Sequence, residues 1–286
     1  MAERAVGVTP PRVMTIAGTD SGGGAGVASD LRALAACGVH GCVAVTAVTV
    51  QNSVAVTGVH VLPPETVAAQ IEAVATDIGL DAVKTGMLAT AGIIAAIAET
   101  CDRVGIGGGG GTPFVVDPVA ASMGGDQLLA DEALDAFRAQ LFPRATVVTP
   151  NLDEVRLLTG IDVHDRDAQY AAAKVLHGMG PQWVLVKGGH LVEDESECVD
   201  LLYDGTSFTE YPGPRIVTGN THGGGDTMAS AISAGLARGL SVPDAVARAK
   251  RFVTESVRRS YDLGRGHGPV SPLWAVREWW DGGSVG

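Results

Sequence analysis

The sequence predicts an α/β domain built on a mostly parallel sheet with helices on both faces. Two patterns carry that expectation. Short runs of β-branched residues alternate with segments of helical periodicity along the chain, and strands separated by helix-length connections pair in parallel. Most of the short runs are also apolar throughout, as expected of strands covered on both faces.

Taken in order, RVMTIA (12–17) reads as the first strand and AGVASDLRALAACG (25–38) as the helix after it. CVAVTAVTV (42–50) reads as a strand, with a second Val-rich run, VAVTGVHVL, close behind. No Asp, Glu, Lys or Arg occurs from Ala33 to Pro64, yet GVHG and QNS interrupt the runs, and each is far short of the roughly 20 apolar residues of a spanning helix. Buried strands explain the stretch. The alternation continues with helix PETVAAQIEAVATDIG (64–79), strand DAVKTG (81–86), helix TAGIIAAIAETCDR (90–103) and strand FVVDP (114–118). Then come helix DEALDAFRAQLF (131–142), strand ATVVTP (145–150), helix DAQYAAAKVLHGMG (167–180) and strand WVLVKGG (183–189). In CVDLLYDGTSFTEY the Asp204-Gly205 pair between alternating runs signals a hairpin, hence one antiparallel element. Two helices close the pattern, one over 226–238 and PDAVARAKRFVTESVRRSY (243–261). The run GIGGGGGT (105–112) offers little to pack and reads as a flexible surface connection.

At 286 residues and 46% hydrophobic content the chain supports one sizeable core. A single domain over 1–286 is expected, with 1–11 and 280–286 as flexible ends and no further domain after GRGHGPV. The net charge of −12 repels polyanions, so neither nucleic acid nor an anionic membrane is an expected partner. Cys37, Cys42, Cys101 and Cys198 are scattered without a C-x-x-C pair or a His cluster at zinc spacing, which fits reduced thiols. The N-terminus carries no apolar segment of signal-peptide length; a cytoplasmic protein is expected.

Polar residues gather at the carboxyl ends of the strand runs: Lys84, Asp117, Asn151 and Lys187. Open α/β sheets bind ligands along that edge. NTHGGGDTMASAIS (220–233) falls at the same edge. Its glycines let backbone N–H groups converge on one point while the helix N-terminus adds partial positive charge, which makes an anion hole without cations. Two readings of Asp226 stand side by side: a cap for its helix, or a carboxylate accepting a proton from a hydroxyl that attacks phosphorus beside those N–H groups. The second is what a small-molecule kinase needs. AGTDSGGGAG (17–26) is a further glycine-rich turn, but it matches neither G-x-G-x-x-G nor, with any of the lysines 84, 174, 187 and 250, a P-loop. Asn151 and Glu154 read either as an N-terminal cap or as side chains pointing into the crevice, where Glu154 or Asp117 could hold the waters of a hydrated magnesium.

Together TIAGTDSGGGAGVASDLRALAACGVHG, TAVTVQNS, VKTGML, VVDPV, TPNLDE, VLVKGGH, THGGGDT and GRGHGPV, in that order, resemble the hydroxymethylpyrimidine/phosphomethylpyrimidine kinases of thiamine biosynthesis, in the ribokinase-like superfamily. The resemblance runs from about Arg12 to Pro272. It implies a ribokinase-like fold, commonly dimeric, that uses Mg2+ with ATP to phosphorylate 4-amino-5-hydroxymethyl-2-methylpyrimidine and then its monophosphate. By similarity Asp30 and Gln51 sit at the pyrimidine, with Met87 and Val119 packing near it. Gly223, Gly224 and Gly225 form the anion hole, Lys187 and Asn151 serve the triphosphate, and Glu154 and Asp117 serve the metal. One position departs: most members read T-H-G-T-G-C-T, with cysteine where this chain has Asp226, whereas sugar kinases of the superfamily carry aspartate there. The alternatives are a pyridoxal or pyridoxine kinase, whose acceptor is also a flat ring bearing a hydroxymethyl group, and a non-catalytic vitamin or nucleotide sensor on the same fold.

Overall fold

A computed structural model describes residues 7–120, 129–189, 191, 196–274 and 276. The expected flexible end 280–286, residues 1–6 of the other end and His190 of VLVKGGH lie outside the described residues.

Strand β1 (Arg12–Ala17) lies within an eight-stranded sheet, between β2 (His40–Val45) at one edge and β5 (Ala82–Thr85). Beyond β5 follow β6 (Phe114–Val116), β7 (Val147–Val148) and β8 (Trp183–Val186), all parallel to β1. The expected hairpin completes the sheet as β9 (Glu197–Tyr203), antiparallel to both neighbours, and β10 (Phe208–Pro214). The chain therefore reaches the far edge only at its last strands.

Alternation along these strands divides the core in two. Met14, Ile16, Val83, Phe114, Val116, Val148 and Val184 pack on one face. There they meet α2 (Pro64–Asp77), α3 (Ala91–Val104), α4 (Asp131–Ala136), α5 (Leu152–Thr159) and α6 (Arg166–His177). Val13, Ala82, Val115, Val147 and Leu185 point the other way, onto α1 (Gly26–Ala36), α7 (Gly224–Ala237) and α8 (Val242–Arg258). The period-two exchange between faces makes both faces apolar and removes alternation from the sequence.

Three local expectations need correction. The run 42–50 is two strands, because the backbone turns at Thr46, whose N–H donates to Ala17 O and whose hydroxyl donates to Met87 O. Its second part, β3 (Ala47–Gln51), leaves the main sheet and pairs only with β4 (Val56–Val61) in a separate two-stranded ribbon. The predicted helix 131–142 is α-helical only to Ala136, then passes through a π turn, Phe137–Leu141, into a 3-10 turn, Phe142–Arg144. Pro143 lacks the N–H that a continuing helix needs and disfavours helical backbone just before it. The glycine run 105–112 is a tucked turn, with Ile106 buried and Gly108 N–H donating to Arg144 O at 3.0 Å.

Candidate active site

Helix α7 begins at Gly223, whose φ of +77° is open to glycine and strained for other residues. Gly224, Gly225 and Asp226 fill the first turn, where helical N–H groups have no partner within the helix; the Gly224 N–H is taken by Thr221 O at 3.0 Å, so it is not a free donor of the expected anion hole. Close approach explains the glycines better than flexibility does. A Cβ on Gly223 would stand 2.1 Å from Gly24 O, and one on Gly225 would stand 3.2 Å from Lys187 Nζ and 3.8 Å from Asp117 Oδ2. Asp226 does not cap its helix, since the start of α7 has no side-chain cap. Its Oδ2 instead accepts the Gly26 N–H at 3.3 Å, and its Oδ1 lies 3.5 Å from Lys84 Nζ.

Beneath Asp226, Lys84 and Asp30 form an ion pair with no solvent exposure, Nζ lying 2.8 and 2.9 Å from the two carboxylate oxygens. Thr15 Oγ1 donates to Asp30 at 2.6 Å and Ser230 Oγ donates to it at 2.7 Å. Burial pushes the Asp30 carboxyl up to about 6 despite Lys84, with Asp226 adding to the rise. Burial pulls Lys84 the other way, but Asp30, Asp226 and Asp117 outweigh it and hold the ammonium above its ordinary range. Asp30 is thus not where the resemblance put it. Buried and engaged by three side chains, it presents no surface to a ring and serves Lys84.

A second charged group sits after β6, β7 and β8. Asp117 is buried, and its Oδ1 accepts from Lys187 Nζ at 2.9 Å and from Thr149 Oγ1 at 2.8 Å. Asn151 and Glu154 form a capping box at the start of α5: Glu154 N–H donates to Asn151 Oδ1 and Asn151 N–H to Glu154 Oε2. The cap reading is therefore realised. Glu154 is nonetheless buried beside Lys187 and Asp117. Burial, helped by Asp117 and opposed by Lys187 and by the Asn151 and Ala120 N–H groups, pushes its carboxyl up to about 8. A carboxylate so short of positive charge is one that a hard cation would stabilise. Among the described residues no group of three or more His, Cys, Asp or Glu forms a cage, and magnesium bound with ATP needs only one or two carboxylates beside phosphate oxygens and water. The donor set fits that ion.

The remaining candidates lie on three separate segments, beside Gly18, Asp117 and Ser21. Met87 is half-buried and its Cε stands where a Gly18 side chain would be, 2.4 Å from that position. Val119, also half-buried, donates its N–H to Asp117 O. Gln51 ends β3 at a register shift, its N–H 3.3 Å from Ser21 Oγ.

Asp20 and His222 were missed by sequence reasoning, and Lys84, seen only as a strand-end polar residue, was not singled out. Asp20 gathers the Gly22, Gly24 and Ala25 N–H groups at 2.8 to 2.9 Å and meets His222 Nε2 at 3.1 Å, which joins the two glycine turns. Burial opposes its charge, but the His222 and backbone hydrogen bonds win and lower its carboxyl below the ordinary range. The signal was an acid at the head of a glycine turn, where Asp commonly binds its own backbone. Beside this junction a cleft of about 310 Å3 opens between Asn52 and Ser53 on one side and Leu263, Gly264 and His267 on the other. It touches the mouth at Gly22, Gly24 and His222, and its lining does not include Asp226, Lys187 or Asp117.

A parallel α/β sheet whose carboxyl edge holds a glycine-walled helix mouth, a carboxylate in its first turn and a lysine alongside is the framework of a small-molecule phosphotransferase of the ribokinase-like class. Comparison with known proteins narrows this: residues 20–271 match the phosphomethylpyrimidine kinase family, and the chain belongs to it. It is 60% identical to the hydroxymethylpyrimidine/phosphomethylpyrimidine kinase of Mycobacterium leprae over 94% of this chain and 96% of that one. Against the Bacillus subtilis protein of the same name identity is 43%, over 91% and 94%. Among solved structures, Bacillus subtilis pyridoxal kinase in complex with ADP superposes with a TM-score of 0.84 at 36% identity, covering 94% of this chain and 99% of that one. Clostridium difficile phosphomethylpyrimidine kinase gives 0.75 at 36% identity, covering 86% and 99%.

Proposed function

We propose that the chain transfers the γ-phosphoryl group of ATP to the hydroxymethyl oxygen of 4-amino-5-hydroxymethyl-2-methylpyrimidine and then to the resulting monophosphate, giving the diphosphate for thiamine biosynthesis. The observation that carries this reading is near-full-length identity of 60% to kinases of that name, together with Asp226 in the glycine-led first turn of α7. In the first transfer the alcohol oxygen bonds to phosphorus as its proton passes to Asp226, and the bond to the ADP oxygen breaks. Gly223 and Gly225 would offer their N–H groups to the moving phosphoryl group, with Lys187 alongside, whereas the Gly224 N–H already donates to Thr221 O at 3.0 Å and shapes the turn. Glu154 and Asp117 would hold the magnesium that accompanies ATP, directly or through water, and that ion would neutralise charge on the phosphates. Asn151 orients Glu154 through the capping box. Gln51, Met87 and Val119 wall the ring site.

A pyridoxal kinase is the second reading, favoured by the pyridoxal kinases among its structural relatives. The deciding assay is steady-state ADP release with Mg-ATP and, separately, hydroxymethylpyrimidine, its monophosphate and pyridoxal. Turnover of both pyrimidines with weak turnover of pyridoxal is the expected result; preference for pyridoxal would overturn the acceptor, and silence with all three would overturn catalysis.

A homodimer is part of the same proposal. Val48 and Val50 on one face of the β3–β4 ribbon, and Val59 and Val61 on the other, are exposed, an apolar element that a second copy would cover. Cytoplasmic residence belongs to the same proposal; among the described residues no helix is long and apolar enough to cross a membrane.

A further inference from the structure

The proposed reaction asks one site to handle two acceptors of opposite character. The first is a neutral alcohol that must lose a proton. The second is a phosphate oxygen, already anionic, that needs no base and is repelled by a carboxylate. With Asp226 at the mouth, the second transfer has an electrostatic difficulty that a neutral residue there would not create.

The buried pair beneath supplies the remedy. Lys84 Nζ binds both oxygens of Asp30 and lies 3.5 Å from Asp226 Oδ1. Asp30 is further engaged by the Thr15 and Ser230 hydroxyls. Lys84 has no exposure while Asp226 keeps 14%, so the ammonium reaches the mouth only through that carboxylate. Gly86 packs beside the pair: a Cβ there would lie 3.0 Å from Ala17 Cβ, 3.4 Å from Lys84 Nζ and 3.7 Å from Asp226 Oδ1.

We infer that Lys84 is a positioning and charge-compensating residue for the second phosphorylation: fixed by Asp30, it offsets the Asp226 carboxylate so that an anionic acceptor can approach. In that step the phosphate oxygen bonds to the γ-phosphorus, the bond to the ADP oxygen breaks, and no proton moves to Asp226. The inference rests on the two-acceptor reading above. It predicts that Lys84 and Asp226 sort the two steps in opposite directions.

The test is kcat/KM for hydroxymethylpyrimidine and for its monophosphate in wild type, in Lys84→Met, and in the double variant Lys84→Met/Asp30→Asn. The double variant leaves no unpaired charge in the buried pair and carries the test if the single one does not fold. The expected result is a loss with the monophosphate at least tenfold greater than the loss with the alcohol. A purely structural role would depress both alike. Equal losses, or a greater loss with the alcohol, overturn the inference while leaving the two-acceptor reading intact. Failure of the wild type to use the monophosphate overturns both.

Discussion

Asp226 owes its position to residues far from it in sequence, Gly26 and Lys84, and not to a capping bond in its own helix. Its replacement by Asn keeps the shape and removes the proton acceptor. Asp226→Asn is therefore expected to slow phosphorylation of the alcohol by about 100- to 10,000-fold, the usual weight of general base catalysis, and to slow the monophosphate step far less. Separate single-acceptor assays check it, and equal losses would remove Asp226 as the base. Gly223→Ala tests the mouth. The new methyl must sit at a φ of +77° and 2.1 Å from Gly24 O; backbone strain alone costs about 1–3 kcal/mol, so thermal unfolding should show a clear drop in midpoint. The glycines and Asp226 were legible because they are neighbours in sequence. Asp30 was misread because a helix acid looks the same whether it faces solvent or a buried lysine on another strand.

At the level of elements, the turns before α1 and α7 form one structure. Gly24 packs beneath the His222 ring, a Cβ there falling 2.3 Å from Cδ2, and Asp20 links both turns. Because folding lowers the Asp20 carboxyl from its ordinary value of 3.8, its stabilisation is fully present above that value and drains away as pH falls through the depressed one. Asp20→Asn should lower stability at pH 7 and flatten the loss between about pH 5 and 2, the region where carboxylates of this kind titrate. Denaturant melts across that range check the slope; an unchanged slope would show that the linkage lies elsewhere. The strands after which these turns arise were plain in the sequence. The break at Thr46 was not, because it depends on carbonyl partners in β1 and in the segment after β5.

On the scale of the whole molecule, parallel pairing and the antiparallel hairpin were readable from alternation and from Asp204-Gly205, whereas strand order, which depends on contacts between distant segments, was not. The ribbon β3–β4 is the part of the fold with least cover, its valines on the outside. If the proposed homodimer forms through this ribbon, Val50→Asp with Val59→Asp should convert it to monomer in light scattering with the fold intact; a dimer that survives both charges would place the interface elsewhere. The sealed ion pair also bears on how the chain is made. Asp30 and Ser230 are 200 residues apart, so at about 5–20 residues per second a ribosome needs roughly 10–40 s between making the acid and making the hydroxyl that closes over it. Lys84 follows Asp30 by 54 residues, so for the remainder of that interval the pair has no α7 above it and the layer where the second core will form is open there. The pair beneath the mouth can become dry only once α7 is made, and synthesis halted before α7 should yield a chain that holdase chaperones retain.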